Sequence, residues 1–297
     1  MIDKLKNVTG LNIYPSSVQQ AGGVTYFLGR GQPKTGGGAG KFVGAVGPSE
    51  VTGEGAGELD GRGVCVGPLS GENAGAIRAA LPWTAPRCVG LATSIGLGDR
   101  LGLATPGHIR AVREQGRGLT PFLAQQSIRE MTRTQRSARQ VMDAATWGVL
   151  QEGYTDGFGS DADHLQKPED IDATLAQGFT MFTVDPGAHV DNEADTLGPD
   201  GLAERFESFQ RQDMDLLETT PGELKSRYVG RRIELEGGKA VTLDEIDFLR
   251  AVIKYGSAIA HAVRMYRHLA EAATSDFELE ISVDETESPT SAAEHYF

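Results

Sequence analysis

The sequence predicts an α/β protein built as a (β/α) TIM-barrel-like sheet, incomplete at its C-terminal end, with a glycine-rich N-terminal subdomain. Three observations predict it. From Arg87 onward, apolar runs alternate with segments of helical spacing, the order that gives parallel strands with helices outside them. The first 80 residues hold about half of the 39 glycines, in clusters such as Gly36-Gly37-Gly38. A late segment, Phe277 to Asp284, alternates Phe277, Leu279, Ile281 and Val283 with Glu278, Glu280, Ser282 and Asp284, a period of two.

Residues 1–85 form the expected glycine-rich subdomain, read as loosely structured short strands and turns, because glycine is costly to order and packs little. Gly36 to Lys41 does not make a phosphate loop. The first glycine of G-x-x-x-x-G-K falls on Thr35, and Phe42 follows the lysine where Ser or Thr is required.

Residues 86–297 form the first part of the barrel. Cys88 to Ala92 is the first expected strand, and Thr105-Pro106 opens a helix through His108 and Val112. Pro121 to Ala124 is the second strand, and Ser137 to Leu150 a helix with Val141, Ala144, Ala145 and Val149 on one face. A third strand ends in Asp161-Ala162-Asp163-His164. A carboxylate beside an imidazole suits proton transfer or metal ligation. Pro168, Glu169 and Asp170 mark the next helix start, and Phe179 to Val184 the fourth strand.

An insertion at about 187–241 interrupts the repeat. It is expected to carry a helix from Leu202 to Leu216 and a hairpin from Arg232 to Val241 turning at Gly237-Gly238, and to serve either as a lid over the site or as an oligomer contact or surface excursion. Thr242-Leu243-Asp244-Glu245 reads as a capping box for a helix running towards Leu269. The last strand, Phe277 to Asp284, would turn its apolar side to the helices, and Glu280 and Asp284 to the interior or its mouth. An acidic edge strand is the alternative. Five strands are countable where a closed barrel needs eight, and Pro289, Thr290 and Ser291 announce a further helix just before Phe297.

Charge and composition narrow the function classes. The formal net charge of −13 argues against nucleic acid or an anionic membrane as partner. No N-terminal apolar run reads as a signal or a span. Two cysteines, Cys65 and Cys88, are expected to be free thiols in a cytoplasmic protein. The oligomeric state is not legible.

Several long blocks resemble the tagaturonate epimerase family of hexuronate catabolism: Gly98-Asp99-Arg100-Leu101-Gly102 with Thr105-Pro106, Ala124-Gln125-Gln126-Ser127, Ala145-Thr146-Trp147-Gly148 with Gln151-Glu152-Gly153-Tyr154, Asp161 to His164, Phe179 to Thr183, and Ser282-Val283-Asp284-Glu285-Thr286. The resemblance spans roughly Arg87 to Ser291 and leaves the glycine-rich part unmatched. It implies interconversion of D-tagaturonate and D-fructuronate, with Asp163 as proton acceptor, Glu280 as proton donor and His164 as ligand of a divalent metal cation. Further histidine ligands would lie in a C-terminal portion not contained here. Gln125, Gln126 and Arg100 are expected to bind the keto-uronate, Arg100 by clamping its carboxylate. The alternative is a non-catalytic fragment or sugar-acid-binding protein that lacks the completing metal ligands.

Overall fold

The computed structural model describes residues 1–209, 211–284 and 286–297. Glu285, in the last of the family-like blocks, and Gln210, within the expected helix from Leu202 to Leu216, lie outside the described residues. The chain divides into two compact units. One comprises Met1–Asp163, Ile171–Phe182 and Ser275–Glu278, the other His164–Asp170, Thr183–Thr274 and Leu279–Phe297.

In the first unit, α1 (Ile2–Thr9) precedes a six-stranded antiparallel sheet made of β1 (Asn12–Ile13), β2 (Gln19–Ala21), β3 (Val24–Gly31), β4 (Gly40–Val46), β5 (Glu54–Leu59) and β6 (Arg62–Pro68). The spatial order is β1-β3-β4-β6-β5, with β2 also on β3. Alternation along β3 sends Phe27 to one side, where it packs with Leu5, Leu11, Val46, Val64 and Val66. Tyr26 and Leu28 point to the other, against Ala74 and Ile77 of α2 (Gly71–Ala80).

The expected looseness of this segment is corrected, because its glycines are sites of close packing. A Cβ on Gly44 would lie 2.1 Å from the Phe27 ring, and one on Gly67 1.9 Å from the Thr52 carbonyl oxygen.

The second sheet begins at β7 (Ser94–Gly96), followed by α3 (Thr105–Gln115), β8 (Thr120–Ser127), α4 (Ile128–Thr134), α5 (Ala138–Glu152), β9 (Gly159–Leu165), α6 (Pro168–Leu175) and β10 (Met181–Val184). β7 pairs parallel with β8, and β8 with β9. The first strand therefore lies after the expected Cys88 to Ala92. The backbone donors of Val89 and Gly90 go to the Glu278 carboxylate, and Cys88 Sγ approaches the Asp276 carbonyl at 3.4 Å, so 88–90 is a loop. Ser137 caps α5 in a full capping box with Gln140, and Trp147 and Leu150 of that helix complete the core above α2.

In the second unit the insertion holds α7 (Pro199–Glu207), α8 (Arg211–Leu216) and α9 (Pro221–Tyr228). A hairpin of β11 (Arg232–Glu234) and β12 (Ala240–Thr242) follows, and then α10 (Glu245–Ala272). The single helix expected from Leu202 to Leu216 is thus two, and the hairpin turns where Gly237 and Gly238 adopt positive φ.

The helix-start reading at Thr242 moves by two residues. Thr242 pairs with Arg232 in the hairpin, and Asp244 caps α10 by accepting from Asp247 N at 2.8 Å. Leu202, Leu224, Leu243, Phe248 and Val252 form the core of this unit. Lys254, fully buried on α10, donates to Asp195 Oδ2 at 2.8 Å and Ser288 Oγ at 2.7 Å.

β13 (Glu278–Ile281) is shorter than expected, and α11 (Ala292–Tyr296) starts behind the Ser291 capping box. The order of the second sheet is β13-β10-β9-β8-β7. Leu279, Ile281 and Val283 share a groove of about 700 Å³ with Tyr255, Ile259 and Val263 of α10. That is the side on which the alternation expects a helix, although Ile281 remains 51% exposed.

Candidate active site at the end of strand β9

Asp161 and Asp163 are two residues apart on β9 and so point to the same face. The register aligns Gln125 with Asp161 and Ser127 with Asp163, so all four side chains share that face. Asp161 is buried, and Gln125 Nε2 donates to its Oδ2 at 2.9 Å. Asp163 is half-buried.

His164 follows Asp163 with φ of 55°, a left-handed backbone that non-glycine residues adopt at a cost of order 1–3 kcal/mol. Its Nε2 lies 3.4 Å from Asp284 Oδ2. Strain of this kind inside a strand, on a residue paired with a carboxylate, marks a position where side-chain direction matters more than backbone ease.

The loop after β7 is set by Asp99. Its buried carboxylate accepts from Leu103 N at 3.0 Å, from Ala104 N at 2.8 Å, and from Thr105 N and Oγ1 at 3.0 Å each. Burial by itself would raise the Asp99 carboxyl, but these donors hold it below the usual carboxylate range. Arg136 clamps the same loop, donating to the Asp99 carbonyl at 2.6 Å and to Gln126 Oε1 at 2.8 Å. Gln126 is buried and its Nε2 donates to Thr134, so this side chain is spent on internal structure. Arg100, at the tip of the loop, is two-thirds exposed and pairs with Glu130. Glu280 is exposed on β13, whereas Glu278 accepts from the Val89 amide at 2.8 Å.

In the second unit, Gln166 Nε2 donates to Asp185 Oδ2 at 2.8 Å. His261 of α10 is buried and stacks on His189 at 4.1 Å between ring centroids. Burial, with the nearby His189 and Arg264, pushes the His261 imidazole below its ordinary value. Among the described residues no group of three or more His, Cys, Asp or Glu side chains is placed to hold a metal ion.

A family model described as UxaE, tagaturonate epimerase, matches residues 14–297. The chain belongs to the tagaturonate epimerase family. The match begins well before Arg87, which corrects the expectation that the glycine-rich part stands outside the resemblance: the antiparallel sheet is a family feature.

A tagaturonate/fructuronate epimerase of Thermotoga maritima is 44% identical over 226 residues, 76% of this chain and 44% of that protein. The native crystal structure of fructuronate-tagaturonate epimerase UxaE from Cohnella laeviribosi is 35% identical, with a TM-score of 0.82 over 96% of this chain and 55% of that one. A glycerol-complexed structure of the same enzyme gives 0.83 over 99% and 57%. The chain thus spans about half the length of these tagaturonate epimerase relatives. At this likeness the five-stranded sheet is a half-barrel of the family's α/β fold.

Sequence reasoning did not single out Arg136, His189 or His261. Arg136 and His261 act through contacts 37 and 72 residues away along the chain, and no local pattern carries them. Among the described residues no helix is long and apolar enough to cross a membrane, and both cysteines are free.

Proposed function

We propose that this chain interconverts D-tagaturonate and D-fructuronate as a keto-hexuronate epimerase. The observation that carries the reading is Asp163-His164 at the end of β9, with His164 in a strained left-handed conformation beside Asp284, in a chain 44% identical to a protein named for this reaction. Catalytic groups at C-terminal strand ends are the rule for (β/α) sheets.

The carbon to be inverted lies β to the ketone, so simple enolisation does not acidify its hydrogen. The proposed route is retro-aldol. Asp163 takes the proton of the hydroxyl on that carbon, and the bond to the carbon next to the ketone breaks, leaving an aldehyde and an enediolate. The aldehyde turns and the bond re-forms on its other face. The new alkoxide takes a proton from Glu280, and both carboxyl groups return to their starting states by exchange with water. Arg100 would hold the substrate carboxylate, releasing Glu130 to do so.

A divalent cation belongs to the proposal through His164. Its Nε2 and Asp284 Oδ2 offer two donors, and no third His, Cys, Asp or Glu completes a site among the described residues. Two donors fall short of the three or four that protein sites supply, so no step is routed through a metal. The second reading is a protein that binds the sugar acid without turning it over.

Incubation of the chain with D-tagaturonate, followed by proton NMR, separates the two. Appearance of D-fructuronate, abolished in Asp163→Asn, supports the epimerase. Calorimetric binding without any product selects the second reading.

A further inference from the structure

We propose that Asp161 is a positioning residue that fixes the orientation of the Gln125 side-chain amide, so that Gln125 meets the substrate as a hydrogen-bond acceptor through Oε1. The inference rests on the keto-uronate reading above and deepens it. It names which atom of Gln125 recognises the ligand, and it predicts recognition of a hydroxyl where a carboxylate would need a donor.

Three observations carry it. First, the 2.9 Å contact runs from Gln125 Nε2 to Asp161 Oδ2, and an amide NH₂ can only donate. The amide is thereby prevented from flipping, with its NH₂ turned to Asp161 and its oxygen turned away. Secondly, Asp161 is buried, and the register places it opposite Gln125 on the parallel neighbour, so the pair sits on paired strands where neither backbone is free to drift.

Thirdly, the amide lies against Gly96 at the end of β7. A Cβ there would come within 2.6 Å of Gln125 Oε1 and 3.0 Å of Nε2, so glycine leaves the space that the oriented amide fills. Asp163 lies on the same face as Asp161, one pleat further along β9, about 6.6 Å away by strand rise. Gln125 is therefore placed beside the proposed base.

Gln125, Asp161 and Gly96 thus form one device. Replacing any member should disturb the same ligand contact in a different way. Gln125→Met removes the acceptor, Asp161→Asn frees the amide to flip, and Gly96→Ala pushes the amide aside.

The test uses the chain as it stands, titrated by calorimetry with D-tagaturonate and with its mono-deoxy analogues, together with nitrogen-15 NMR of side-chain amides. The expected result is about tenfold weaker binding of D-tagaturonate by Gln125→Met and a several-fold loss in Asp161→Asn and Gly96→Ala, the size of one lost hydrogen bond. One mono-deoxy analogue should bind all four proteins equally, because it lacks the hydroxyl concerned. The Gln125 amide pair, identified by its disappearance in Gln125→Met, should show slowed solvent exchange in the wild type and lose that protection in Asp161→Asn.

A purely structural role would lower melting temperature without this selectivity among analogues. Unchanged affinities in folded variants, equal losses for every analogue, or an amide signal indifferent to Asp161→Asn would each overturn the proposal. If Gln125→Met does not fold, Gly96→Ala carries the same comparison. Failure of the wild-type chain to bind D-tagaturonate at all would instead overturn the keto-uronate reading, while the amide signature would still report on the positioning.

Discussion

Replacing Asp99 with Asn should release the loop that carries Arg100, and the size of the effect follows from the hydrogen bonds. The Asp99 carboxylate accepts three backbone amides and one hydroxyl, at 2.8 to 3.0 Å, while only 6% exposed. Two of the amides, Ala104 and Thr105, open α3, so Asp99 does the work of a helix cap from five and six residues upstream. Asparagine keeps the shape but offers one oxygen in place of two and loses the charge assistance. About two of the four bonds are lost at roughly 1 kcal/mol each, giving a destabilisation of about 2 kcal/mol. For 297 residues, at about 2.1 cal/mol/K each, that corresponds to a fall in melting temperature of roughly 3 °C.

The sign of the pH dependence is fixed by the depressed Asp99 carboxyl. Its stabilisation is complete above the unfolded value, near 3.9, and is lost as pH falls through the lower folded value. Thermal melts at pH 7 should show the full difference between wild type and Asp99→Asn, and the difference should shrink as pH falls through the lowered folded value. Limited trypsin digestion should meanwhile cut faster after Arg100 in the variant. A melting temperature within 1 °C of wild type, with unchanged cleavage after Arg100, would refute the claim that this carboxylate organises the loop.

Arg100→Lys should raise the Michaelis constant for the uronate several-fold with little change in turnover, since it keeps charge and loses the two-point fork; an unchanged constant would leave Arg100 as the partner of Glu130 alone. Glu280→Gln should reduce turnover far more than affinity, and a turnover equal to wild type would remove Glu280 from the proton balance. Calorimetric titration with manganese or zinc should show weak binding, because His164 and Asp284 supply two donors; tight one-to-one binding would overturn that count. Lys254→Met should lower stability by about 1 to 3 kcal/mol, as the half-buried Asp195 loses its charged partner, and a melt unchanged from wild type would deny that the pair matters. His261, held below its ordinary value by burial, stays neutral in the fold after the unfolded chain has begun to protonate near pH 6.5. Stability should therefore fall as pH drops below about 6.5, and His261→Phe should flatten that slope; an identical slope in both proteins would refute the assignment.

The parts of this molecule that local sequence could reveal are those held by local forces. The helix expected from Ser137 begins in a capping box that closes within three residues, the Gly237-Gly238 turn closes within two, and helix and turn stand where their spacing puts them. The apolar run at Cys88 misleads because hydrophobicity marks burial without saying which backbone donors remain for a ladder. Here Val89 and Gly90 give theirs to Glu278, almost two hundred residues on. Thr220 and Glu223 form a capping box as well, but α9 behind it is hard to read from sequence because its single buried apolar residue, Leu224, makes no periodic stripe.

The glycines mislead for a related reason. Counted along the chain they signal disorder, yet Gly44 is empty space shaped to the Phe27 ring, a fact about a neighbouring strand that composition does not contain. The same distinction runs through the candidate site. Asp163 and His164 are conspicuous as a pair in sequence, but what arranges the candidate site is non-local: the His164 contact with Asp284, and the Asp161 carboxylate holding Gln125 from the next strand. A motif therefore names the candidate groups, whereas how each side chain is held is decided by contacts 36 to 120 residues away in the chain.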